Sequence, residues 1–222
     1  MSWTIVETKD NGEDIQRLRD AIKSALDRGI LLFCAAGDTG AIQASEHPWS
    51  SDKERIFRIG AATADGRIWE STGTPSNLSF IVPGYKVVAR NPYREGALPN
   101  DFKERTGSSI ATALATGLAA LVMHCVRLGA IQTELEKEKG SVSSNAVKEA
   151  DYKLIKSYNH MNEVFTSIGL DKTQQRFIEV WKRFVVPAQN LKPTTDRNSS
   201  NLAFIAELAR DLVSGIPGRA NE

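Results

Sequence analysis

From Asp14 to Arg28 the apolar residues Ile15, Leu18, Ile22, Ala25 and Leu26 recur on one face of a 3.6-residue period, so the spacing predicts an amphipathic helix, ended by Gly29. The next run, Ile30 to Ala36 (ILLFCAA), has no polar position and closes at Gly37, as a strand covered on both faces does. Ser2 to Glu7 (SWTIVE) is β-branched and aromatic and predicts a short strand ahead of the helix, with Lys9 to Glu13 as a polar loop. Strand, helix and buried strand in this order make a right-handed βαβ unit of a parallel sheet. Ile56 to Ala62 (IFRIGAA) and Tyr85 to Ala89 (YKVVA) predict further strands, and Asn91 to Arg105 a polar loop. The fold class is therefore α/β, a parallel sheet sandwiched by helices, carrying an α-helical C-terminal extension.

Thr106 to Leu128 (TGSSIATALATGLAALVMHCVRL) changes the pattern to small and apolar side chains with one fixed charge, Arg127. A helix of this kind is expected to be buried on most of its circumference. Gly117 in its interior costs about 1 kcal/mol against Ala, which predicts that another backbone approaches closely there. Beyond Ala130 the character shifts again. A charged run from Glu134 to Lys139 and a flexible GSVSSN link lead to three helical patterns, Ala146 to Ser167, Asp171 to Phe184 and Ser199 to Leu212. The expected division is a domain over 1–130 and a helical extension over 131–222.

Composition narrows the class without naming it. Over 222 residues, 41% apolar and 25% charged with a net charge of +1 describe an ordinary globular chain, and give no electrostatic argument for nucleic acid or membrane. Ile110 to Val126 is too short and too rich in Ala, Thr and Gly to predict a membrane span. Cys34 and Cys125, both in apolar runs, fit a reducing, cytoplasmic setting better than a disulfide framework, although a single bridge stays open. No signal peptide opens the chain, and no metal-ligand spacing or cofactor motif is present, so none is expected.

Candidate chemistry gathers at two turns. Ser109 stands where a loop enters the apolar helix, beside the unpaired N–H groups and positive end of the helix dipole. An oxyanion formed on it could use its own backbone N–H as a donor. From these residues alone the ordinary reading is that Ser108 or Ser109 is an N-cap, as most serines before apolar helices are. Gly37-Asp38-Thr39-Gly40 lies at the carboxyl end of a predicted strand, where open α/β sheets bind ligands, but no phosphate-binding motif follows it. Asp38 is a candidate site residue or an ordinary turn residue beside glycine. Of the histidines, His124 falls about 22 Å along the helix from Ser109, out of reach as its base, His160 sits in the helical tail, and His47 has no motif around it.

These turns carry a resemblance. Gly107-Ser108-Ser109-Ile110-Ala111-Thr112-Ala113 resembles the Gly-Thr-Ser-x-Ala-x-Pro signature of subtilisin-like serine peptidases, with Ser108 for Thr and Ala113 for Pro. Ala35-Ala36-Gly37-Asp38-Thr39-Gly40 resembles that family's Ala-Ala-Gly-Asn-x-Gly. Trp69 to Gly73 and Val82-Pro83-Gly84 resemble two weaker landmarks in the right order, and the helical tail is loosely similar to those of large intracellular fungal relatives. The resemblance implies Ser109 as nucleophile and Asp38 at the oxyanion-hole position, where Asn would donate an amide and an ionised Asp has no proton to give. It implies Ser2, Trp3, Thr4 and Gly37 as the edge that pairs with an extended substrate.

In that family the catalytic Asp and His precede the stretch matched by Ser2 to Glu7. Two expectations follow. In one, this is the nucleophile half of an intracellular endopeptidase acting on peptide or protein substrates, with Asp and His upstream of Met1 and the missing N-terminal part of its own domain as a partner. In the other, it is a non-catalytic pseudo-peptidase module that binds an extended peptide or a partner domain. On either, the chain by itself is expected to be inactive.

Overall fold

All seven residues of Ile56–Ala62 are buried, which only a strand covered on both faces achieves, and the sheet is built outward from it. The computed structural model describes residues 1–2, 5, 7–38, 48–72, 77–90, 102–140, 146–171, 176–191 and 199–219. In chain order its elements are α1 (Gly12–Asp27), β1 (Leu32–Ala35), a 3-10 turn (Pro48–Ser51), β2 (Ile56–Ala62), β3 (Phe80–Pro83), β4 (Val87–Arg90) and β5 (Phe102–Arg105). Then come α2 (Ser108–Glu138), α3 (Glu149–Leu154), α4 (Tyr158–Gly169), β6 (Leu170–Asp171), β7 (Phe177–Ile178), α5 (Trp181–Asn190) and α6 (Ser199–Val213). The main sheet has the order β1-β2-β3-β7-β6, with β1, β2, β3 and β7 parallel, so the α/β expectation holds.

The chain forms two compact units. The first comprises Met1–Arg28, Leu32–Thr116 and Asp171–Phe177. On one face of its sheet, Cys34 and Ile56 pack with Trp49 and with Ile22 of α1. On the other, Phe33 stacks on Phe57 at 4.8 Å between ring centroids, in the register that pairs them. Gly60 of β2 is constrained by packing: a Cβ there would come within 2.6 Å of Leu78 and 2.9 Å of Thr72. β4 and β5 form a separate antiparallel ribbon, Val87 opposite Arg105.

The second unit comprises Gly29–Leu31, Gly117–Leu170 and Ile178–Glu222. Its core is made by Val122 and Val126 of α2, Met161, Phe165 and Ile168 of α4, and Leu212 of α6. Gly129 admits α6 closely, since a Cβ on it would lie 2.8 Å from the Ala209 methyl. Asp151, 2% exposed, accepts from Lys148 N–H at 2.8 Å and from Arg219 Nε at 3.1 Å, and Arg219 also donates to Ala146 O at 2.9 Å. This buried pair fixes the start of α3 to the C-terminal segment.

Several local expectations are corrected. The Ala146 to Ser167 pattern is two helices: the first ends at Leu154 with Ile155 as its C-cap, and the Ser157 hydroxyl caps the next, accepting from His160 N–H. The Asp171 to Phe184 pattern contains the short strands β6 and β7, with α5 starting only at Trp181. α2 runs on through the charged segment to Glu138, 31 residues, long and apolar enough by length and composition to cross a membrane. Nor is it buried on most of its circumference: Leu114, Leu121, Ile131 and Leu135 are each more than 40% exposed, and a Cβ on Gly117 would meet nothing within 4 Å.

Candidate active site

Three turns of the first unit converge at the head of α2, and backbone geometry explains why. β1 ends at Ala35, and Gly37, at φ +88°, turns the chain so that Asp38 faces the start of the helix. Asp38 Oδ1 accepts the Ser108 N–H at 2.7 Å. Gly107 donates its own N–H to Gly84 O at 2.8 Å, which ties the Val82-Pro83-Gly84 turn to the same point. Gly84 has no room for a side chain, since a Cβ would sit 2.6 Å from that of Ala61. Gly107 adopts φ +147°, and a Cβ on it would lie 2.9 Å from Asp38 Oδ2. Sequences of the type Gly-Asp, Pro-Gly and Gly-Ser-Ser are what these close approaches demand.

The two serines are not equivalent. Ser108 is buried and Ser109 half-buried, both inside the first turn of α2. Capping of the first N–H is done from a distance, by the Asp38 carboxylate, so neither serine is the N-cap. Ile110 N–H and Ala111 N–H turn back to Gly107 O, and the Ser109 N–H has no acceptor among the described residues. A half-exposed hydroxyl therefore sits beside an open N–H donor at the positive end of a long helix. Thr112 and Thr116 direct their hydroxyls to the carbonyls of Ser108 and Thr112, both at 2.8 Å, and so keep the first turns of the helix polar-satisfied inside.

The substrate-edge candidates are only partly in view. Met1 lies along β1, donating from its amino group to Phe33 O at 2.5 Å and accepting from Ala35 N–H at 2.9 Å. Ser2 follows and is exposed; Trp3 and Thr4 lie outside the described residues, as do Thr39, Gly40, His47 and Gly73. His160 is engaged at the start of α4, its Nδ1 2.6 Å from Ser157 Oγ. Among the described residues no group of three His, Cys, Asp or Glu could hold a metal. Burial pushes the Cys34 and Cys125 thiols up from their ordinary range, away from nucleophilic thiolate chemistry.

One residue near the site escaped the sequence. Arg58 of β2 is 3% exposed, its guanidinium 4.7 Å from the Trp49 ring centroid and its Nη2 3.2 Å from Ala36 O. Desolvation lowers its pKa. The string IFRIGAA predicts a strand but does not say which way its single Arg is covered; the parallel register pairs it with Cys34, inside the sheet.

The family model for the subtilases matches residues 1–152, more than two thirds of the chain. The chain belongs to the subtilase family. Among curated relatives, this subtilase chain is 22% identical over 111 residues to the major intracellular serine protease of Bacillus subtilis (strain 168), covering 49% of this chain and 33% of that protein. It is 25% identical over 112 residues to an intracellular serine protease of Paenibacillus polymyxa, covering 50% and 32%. It thus matches about a third of the length of these relatives. A solved lanthipeptide protease matches with a TM-score of 0.53 at 13% identity, covering 81% of this subtilase chain and 57% of that one, which supports the fold. The resemblance carried by Gly107 to Ala113 and Ala35 to Gly40 accordingly points to the right family.

Proposed function

We propose that this subtilase chain is the nucleophile half of a cytoplasmic serine endopeptidase, with Ser109 as nucleophile. The observation that carries the reading is the open Ser109 N–H beside a half-buried hydroxyl at the head of α2, framed by the Asp38 and Gly84 turns. In such a site Ser109 Oγ attacks a peptide carbonyl carbon as a base takes its proton. The Ser109 N–H and the helix dipole receive the oxyanion, the amine leaves, and water releases the acyl group. The resemblance assigns the pairing with an extended substrate to Ser2, Trp3, Thr4 and Gly37. The base and its orienting carboxylate come from outside the described residues, from the N-terminal part of the same peptidase domain. The names of the two intracellular relatives support the cytoplasmic setting.

A second reading, a pseudo-peptidase module that grips an extended peptide or partner domain, is favoured by Asp38. Its carboxylate accepts from Ser108 N–H and so holds negative charge next to where an oxyanion would form. The test is fluorophosphonate labelling of the native protein from its source cells, captured with an antibody to residues 146–184, with intact mass and peptide mapping. Labelling on Ser109 in a species heavier than 24.4 kDa, with the isolated 222-residue chain unlabelled, is the expected result. A native species of 24.4 kDa that takes no label would sink the peptidase reading and leave the binding module.

A further inference from the structure

The long helix carries a surface that the peptidase chemistry does not use. Within the second unit, Leu121, His124, Leu128, Ile131 and Leu135 follow one another at alternating intervals of three and four residues. That is the spacing of a coiled-coil seam. It is the solvent side of α2: Leu121 is 44% exposed, Ile131 46% and Leu135 41%, with His124 exposed and Leu128 half-buried. The opposite side, with Leu118, Val122 and Val126, is the one committed to the core. Interrupted only by His124, an exposed stripe of apolar side chains of this length marks a binding face.

Charge selects the occupant. Arg127 and Glu134, both exposed, border the stripe on the same side, each one residue before a seam leucine. Arg127 has no partner among the described residues, and Glu134 holds only the exposed Lys137 of its own helix. We propose that the stripe pairs with the same stripe of a second copy, the two helices antiparallel about a two-fold axis near Gly129 and Ala130. In that register Leu128 faces Ile131 of the other copy, Leu135 faces His124, and Arg127 comes beside Glu134. The two-fold makes every one of these contacts twice, so one opposite-charge pair per chain becomes two per dimer. A parallel, in-register pair would instead stack His124 on its own copy and set Arg127 across from Gln132, which is uncharged and already bonded to Glu136. Self-complementarity thus favours the antiparallel dimer.

Sedimentation equilibrium of the full 222-residue chain tests this, with circular dichroism on each variant to show that it is folded. The expected result is a species of twice 24.4 kDa at about 50 μM chain, a concentration at which a micromolar dimer is populated. Ile131→Glu and Leu135→Glu, at seam positions already half in water, should each make it monomeric. Arg127→Glu and Glu134→Arg should each weaken association about tenfold, as like charges are brought together, and the double exchange should restore it. A monomeric wild type overturns the proposal. So does a dimer indifferent to the Glu substitutions, and failure of the double exchange to rescue overturns the register. Pelleting of a monomeric chain with phosphatidylcholine vesicles would assign the stripe to a lipid surface instead.

Discussion

Asp38 and Ser108, seventy residues apart, are joined by a 2.7 Å hydrogen bond in which a strand-end carboxylate caps the helix that carries Ser109. The bond does two jobs that substitution can separate. Asp38→Ala leaves the Ser108 N–H without an acceptor and is expected to cost about 1 kcal/mol, the usual value of a lost cap. Asp38→Asn keeps an acceptor oxygen for Ser108 and adds an amide that can donate. Stability should stay within about 0.5 kcal/mol of wild type, and in a catalytically complete protein turnover should rise, by up to the 10²–10³ that one oxyanion donor contributes elsewhere. Chemical denaturation of the isolated chain reads the first effect and peptide hydrolysis the second. A slower Asn variant would show that the carboxylate itself is needed.

Two glycines of the same segment should respond in opposite directions. Gly107→Ala forces a side chain into φ +147° and within 2.9 Å of Asp38 Oδ2, so it is expected to lose about 1–3 kcal/mol and to release the cap. Gly117→Ala enters open space in mid-helix and should gain about 0.5–1 kcal/mol. Thermal melts of the two variants beside wild type decide the matter. Loss at Gly117 would mean that something packs there after all.

That contrast also shows what was legible in the sequence. The strand Ile56–Ala62 was readable to the residue because burial on both faces leaves a run that is apolar but for Arg58, and the glycine turns were readable because no other residue fits their dihedrals or contacts. Gly117 misled for the converse reason: a string of Ala, Thr and Gly looks the same on a helix buried all round and on one with an open face. β5 went unseen because, among the described residues, Phe102–Arg105 pairs only with β4 and none of its four side chains is buried, so its pattern carries no alternation. The helix break at Ser157 was hidden because apolar spacing continues across it, from Ile155 to Met161. At the candidate site, the motif residues were visible but the capping of Ser108 by Asp38 was not, since it depends on two turns meeting in space.

Arg58 is a buried cation with Nε lacking an acceptor among the described residues, offset by one carbonyl and the face of Trp49. Burying a charge without an opposite charge is costly, and apolar residues of similar volume often do as well or better. Arg58→Met should therefore fold with stability equal to wild type or up to about 2 kcal/mol higher, whereas Arg58→Ala, which leaves a cavity beside Trp49, should lose about 2 kcal/mol or more. Urea midpoints at pH 7 distinguish the outcomes. A Met variant as unstable as the Ala variant would mean that the cation, not its volume, holds Ala36 and Trp49 in place.

The two cysteines give the chain an alkaline weakness. At Cys34 burial raises the thiol pKa and outweighs the Trp49 backbone bond, the N-terminal ammonium and Arg58, all of which pull it down; at Cys125 burial acts without an opponent. Below about pH 8.5, the ordinary thiol value, folded and unfolded chains both hold these protons and the thiols add no pH dependence. Above it the unfolded chain releases them while the folded chain keeps them, so the unfolded state binds fewer protons and stability falls as pH rises toward the folded-state values. The slope is at most about 1.4 kcal/mol per pH unit for each thiol. Denaturation midpoints between pH 7 and 10 should decline less steeply in the Cys34→Ala/Cys125→Ala chain than in wild type, even if the double variant starts lower from lost packing. Parallel declines would mean that the alkaline loss comes from other groups and that the buried thiols do not resist ionisation.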